Sequence, residues 1–198
     1  MKKYKIINSN LLGPAFGSIN VLVISAFFFM AGISAGIFLE LMMSADKKVE
    51  VIQYLLQYLE TGSSANFPNP FSSSLLNNFL LLLIIFIAGL SIYLFPAALL
   101  ALFFKGLTLG FSACLIIEAL SFKGIFFIFL SIIPQNLLFI PAFIFAASGC
   151  VNFALSRFHK NRKQYCMSFH LYCISFLIPA AMIFLGCVIE GFFYVIVF

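Results

Sequence analysis

Residues 75–104 read LLNNFLLLLIIFIAGLSIYLFPAALLALFF. No charge interrupts them, and as one straight helix they would measure about 45 Å, well beyond a hydrocarbon core of about 30 Å. The run must therefore bend. Pro96 removes an amide donor and clashes with the carbonyl four residues earlier, so it marks the bend. A span over residues 75–95 results, followed by a half-length helix ending at Lys105. A short return span over 106–121 is bracketed by Phe104-Lys105-Gly106 and Phe122-Lys123-Gly124. A second long run, Ile125 to Leu155, is interrupted by Pro134-Gln135-Asn136 and by Pro141. It reads as a half-length outer segment, a break, and a full span over 137–155.

The chain outside these runs is of the same kind. Of 198 residues 64% are apolar and 9% charged, and the mean hydropathy is +1.16. Too few polar side chains remain to cover a soluble fold, so a lipid bilayer is the expected solvent. The run Ile19 to Leu39 is longer than the 7 to 15 apolar residues of a signal peptide and reads as an uncleaved first span. Within it Gly32-x-x-x-Gly36 permits close approach of another backbone. Residues 169–189 form the last span. The expected fold is an all-α polytopic integral membrane protein. It has about five transmembrane helices, Pro-broken half-helices, and one membrane domain over residues 1–198.

Lysine and arginine set the orientation. Seven of the eleven fall in two clusters, Lys2, Lys3 and Lys5, then Arg157, Lys160, Arg162 and Lys163, flanking apolar runs. Basic residues at such positions stay in the cytoplasm. They make no broad basic face, so the net charge of +5 reads as a topology signal with no nucleic acid partner. The N-terminus is expected inside and the C-terminus outside. Between the first two spans, residues 40–74 carry Glu40, Asp46, Glu50 and Glu60 against Lys47 and Lys48, a net −2 that suits an exported loop. Val49, Ile52, Leu55, Leu56 and Leu59 recur there at helical spacing, with Asp46 and Gly62 as caps of a short amphipathic helix. Reporter fusions check the orientation. An export-dependent reporter should be active at Ser64 and Phe198 and silent at Lys160; activity at Lys160 would overturn the five-span reading.

The chain lacks H-E-x-x-H, a Walker loop and G-x-S-x-G. Gly110-Phe111-Ser112-Ala113 comes nearest to the last, yet of the two histidines His159 lies in the basic loop and His170 at the edge of the last span. No catalysis, metal or cofactor is expected. The five cysteines show no C-x-x-C spacing and read as small packing residues. Lys105, Glu118, Lys123 and Glu190 are placed near the ends of spans, where long side chains snorkel to the interface. Lys105 is expected as an anchor at the inner boundary. Gln135 and Asn136, beside Pro134, either satisfy a helix break or form a polar node for a ligand or partner helix.

The two Phe-Lys-Gly triplets around a short span, followed by residues 131–141, Ser-Ile-Ile-Pro-Gln-Asn-Leu-Leu-Phe-Ile-Pro, resemble the stage II sporulation protein M family. The resemblance runs over nearly the whole chain. It takes in the Lys-rich start, the Gly-rich first span, Lys105-Gly106, Lys123-Gly124, the basic loop and Ile189-Glu190. It implies a non-enzymatic membrane subunit of forespore engulfment, resident in the mother-cell septal or engulfing membrane. Its implied partners are stage II sporulation proteins D and P, which cut peptidoglycan. Gly32, Gly36, Gly106, Gly110, Lys105, Lys123, Gly124, Pro134, Gln135, Asn136 and Glu190 are the candidate structural or interaction residues, the glycine faces serving either internal packing between spans or a partner helix. The rival reading is a small-solute transporter or flippase that uses the broken helices.

Overall fold

The computed structural model describes residues 19–61, 70–91, 93–120, 122–128, 132–156 and 162–197. The Lys-rich start, Gly62, Arg157 and Lys160 lie outside them. In chain order the helices are α1 (Ile19–Leu41), α2 (Ala45–Thr61), α3 (Pro70–Leu90), α4 (Phe95–Leu120), α5 (Phe122–Phe127), α6 (Ile133–Ser156), α7 (Arg162–Ser175) and α8 (Leu177–Val197). Five stretches are long and apolar enough to cross a membrane: Ile19–Leu41, Phe71–Leu90, Phe95–Leu120, Ile133–Ser156 and Phe169–Phe192. Helices are the expected element here because in lipid every backbone polar group needs a partner within its own segment.

Both breaks fall a few residues before their prolines. α3 already ends at Leu90, and a turn reverses the chain, with Leu94 N–H donating to Ser91 O at 3.2 Å and Ala97 N–H to Leu94 O at 2.9 Å. Pro96 then occupies the second position of α4, where its missing amide would have had no helical acceptor anyway. The residues expected as a half-helix and a short span form one helix of 26 residues. Pro134 likewise opens α6, and that helix continues through Pro141. The last span is built from α7 and α8, joined through Phe176. The amides of Phe176 and Ala180 still donate to the carbonyls four residues back, at 3.3 Å and 3.1 Å, while Pro179 supplies none.

α1 lies along α4 more extensively than any other pair packs. Its buried residues Gly32, Gly36 and Glu40 stand four apart, and so do Gly106, Gly110, Cys114 and Glu118 on α4. Rows at that spacing are the ridges that interdigitate when two helices cross. A Cβ added at Gly32 or Gly36 would run into the carbonyl oxygen of Phe103 or Leu107, and one at Gly106 or Gly110 into that of Phe29 or Ile33. The two glycine faces therefore cover each other within this chain, which is the internal-packing reading of Gly32-x-x-x-Gly36 and leaves neither face to a partner helix.

α6 is the central helix, with 61% of its most apolar stretch buried against 28% to 33% in the other four spans. Where α3 and α6 end and α7 meets α8, Tyr172 is stacked between Phe86 and Phe153, its ring 5.1 Å and 4.2 Å from theirs. Its hydroxyl donates to Phe86 O at 2.9 Å, and Phe176 packs edge-on at 4.8 Å. This end of the bundle is aromatic. The charged side chains of the five spans gather at the other.

Candidate functional site

The opposite end brings together the starts of α3 and α6 and the last turns of α8. Asparagine and serine near the start of α3 fall on one face because they are four apart: Asn78 Nδ2 donates to Ser74 O at 2.9 Å and to Ser74 Oγ at 3.1 Å. From α4, Lys105 Nζ donates to Asn78 Oδ1 at 2.8 Å. Ser74 Oγ in turn donates to Glu190 Oε2 on α8. The chain thus runs in one direction, ammonium to amide, amide to hydroxyl, hydroxyl to carboxylate, and each bond polarises the next. It also fixes which way the Asn78 amide points.

These residues line a cavity of about 300 Å³ with Ser73, Asn77, Leu109, Gln135, Asn136 and Phe139. Lys105 Nζ stands 5.5 Å from the ring centroids of both Phe139 and Phe143, a distance at which the ring faces attract a cation. Among the described residues the ion pairs are those of Lys48, so Lys105 and Glu190 share the cavity without touching. The reading of Lys105 as an anchor at a helix end is corrected. Because α4 begins at Phe95, residue 105 falls in its interior and faces α3, α6 and α8.

Gln135 and Asn136 belong to the same cavity but differ in state. Asn136, 7% exposed, donates to Ile132 O at 2.8 Å and so satisfies the approach to α6. Gln135 Oε1 is buried with no hydrogen-bond partner. Gly124 on α5 packs against Ile116 O of α4, and the backbone of Lys123 lies in the same short helix.

A second polar cluster closes the α1–α4 seam. Glu40, fully buried, lies 2.9 Å from Lys48 Nζ through Oε1, an ion pair without hydrogen-bond alignment, and accepts from Cys114 Sγ at 3.0 Å through Oε2. Lys48 also donates to Glu118 Oε2 at 2.8 Å. α2 begins one residue before the expected cap: Ser44 O accepts from Lys48 N–H at 3.0 Å, and Asp46 sits in the first turn, where a negative charge favours the helix dipole. Lys48 is thereby aimed back at the ends of α1 and α4.

The bonds to Glu118 and then Glu40 raise the Lys48 pKa above its ordinary 10.5. A cation whose folded pKa is raised contributes fully below its unfolded value and loses that contribution as pH climbs through the folded one. The clamp should therefore hold throughout neutral pH and lose the contribution of Lys48 in strong alkali. Lys48→Ala leaves two carboxylates side by side and is expected to speed limited proteolysis within residues 45–61 several-fold, while Lys48→Arg keeps the wild-type rate. Equal cleavage in all three proteins would refute the clamp.

Among the described residues no three His, Cys, Asp or Glu side chains gather as for a metal. No curated protein and no solved structure matches the chain. The family model described as Stage II sporulation protein M matches residues 25–193, nearly the whole of the spanning bundle and both polar clusters. The chain therefore belongs to the stage II sporulation protein M family, and is a sporulation-related membrane protein.

Proposed function

We propose that this protein is a non-enzymatic scaffold in the mother-cell septal and engulfing membrane, with its N-terminus inside and its C-terminus outside. It would hold the peptidoglycan hydrolases of engulfment, stage II sporulation proteins D and P, at the septum. The observation that carries the reading is the clamped helix α2. Lys48 ties it to the ends of two spans, and Val49, Val51 and Tyr54 stay 55%, 37% and 66% exposed on it. A helix fixed at one end of a bundle with apolar side chains outward offers a partner domain a surface of constant geometry. Anchoring then raises the partner's effective concentration without new chemistry.

Ser74 donates to Glu190, yet a carboxylate alone is too weak a base to activate a hydroxyl, and among the described residues that line the cavity there is no imidazole. Co-purification tests the reading: the hydrolases should be retained on the tagged protein from sporulating membranes and lost with Lys48→Glu. Retention unaffected by Lys48→Glu and by loss of residues 45–61 would overturn α2 as the docking surface. One observation favours a transporter instead, the open polar cavity around Gln135 and Asn136. A transporter should show substrate flux in vesicles that Lys105→Met abolishes; a scaffold should show none.

A further inference from the structure

The polar cavity has an apolar neighbour. A groove of about 370 Å³ opens between α1, α4 and α6, lined by Ile33, Ile37, Ala113, Ile117 and Ile140, with almost no polar surface. Leu109 and Asn136 belong to both spaces, so the two are contiguous across one shared wall. A small solute has no use for the apolar arm. A purely apolar molecule has none for the charges. The combination calls for one molecule with a polar head and a hydrocarbon tail, and a cavity at membrane depth is bathed in such molecules.

The charges narrow the head. Lys105 spends one N–H on Asn78 and has two more to give, while Glu190 has an acceptor oxygen beyond its bond to Ser74. The cation and the anion are not paired with each other, so a head carrying both signs satisfies each. Gln135 Oε1 is a buried acceptor that no donor among the described residues reaches, so the head's positive end should carry N–H groups. We propose that the two spaces form a binding site for a single aminophospholipid. Its phosphate lies on Lys105, its primary ammonium on Glu190 and Gln135, and one acyl chain fills the groove along Ile33, Ile37 and Ile117. Phosphatidylcholine, whose ammonium has no N–H, satisfies only the phosphate half. Phosphatidylglycerol brings net negative charge against Glu190. The site is independent of the scaffold role.

Native mass spectrometry of the delipidated full chain in detergent, titrated with phosphatidylethanolamine, phosphatidylglycerol and phosphatidylcholine of identical acyl chains, tests this. The expected result is a one-to-one complex with phosphatidylethanolamine at least tenfold tighter than with either of the others. Ile117→Trp fills the groove from its exposed side without touching the head site, and should weaken that complex at least tenfold while helix content by circular dichroism is unchanged. Glu190→Gln removes the anion and should shift preference to phosphatidylglycerol. Equal affinity for the three lipids, wild-type binding by Ile117→Trp, or an unshifted preference in Glu190→Gln would each overturn the proposal.

Discussion

Gly36→Leu is expected to strip the bundle of its closest helix contact. The added side chain meets the carbonyl of Leu107 and the amide of Phe111, which are backbone atoms and cannot swing aside. α1 and α4 must separate along the whole seam, and Glu40 then moves away from Cys114. Overpacking of this kind costs about 3 kcal/mol or more, a large share of a stability of roughly 5–15 kcal/mol. Thermal unfolding in detergent should show Gly36→Leu melting far below wild type, and the pair Gly32→Leu/Gly36→Leu failing to accumulate. Gly191→Ala is the contrast, because its new Cβ would meet only Phe71 side-chain atoms, at 3.4 Å and beyond. Similar melting of Gly36→Leu and Gly191→Ala would contradict the seam.

Lys105→Met is expected to be the next most damaging change. It leaves Asn78 Oδ1 without its donor and the Glu190 carboxylate without the one cation that faces it across the cavity. Breaking a buried charge arrangement by removing one member costs about 3 kcal/mol, more than the arrangement contributes over a neutral replacement of both. Adding Glu190→Gln to Lys105→Met should therefore restore most of the lost melting temperature, and the double-mutant cycle should be strongly non-additive. Strict additivity would mean that the two groups do not sense each other.

The same residues explain what was legible in the chain. Five spans follow from hydropathy, because a bilayer demands a length that few other constraints imitate. The overlong run 75–104 does require a bend, which falls just before Pro96, and the error lies in the half-length reading of the helix that follows, which is a full span. Proline is costly inside a helix and free in its first turn, and the run gives no periodic break to say which applies to Pro96. That error moved Lys105 from the interior of α4 to an imagined helix end. The four-residue row Gly32, Gly36, Glu40 was visible, and extending it past the glycines would have marked Glu40 as buried despite its charge. Lys48 and the Ser74–Glu190 contact carry no local signal, since each joins segments far apart in sequence.

In the proposed role the protein localises hydrolases and does no hydrolysis itself. Fluorescent fusions of the engulfment hydrolases, imaged in sporulating cells with and without its gene, test it most directly. Septal foci are expected in the wild type and dispersed membrane fluorescence in the deletion, with the purified hydrolases equally active from both strains. Normal septal foci in the deletion strain would contradict it.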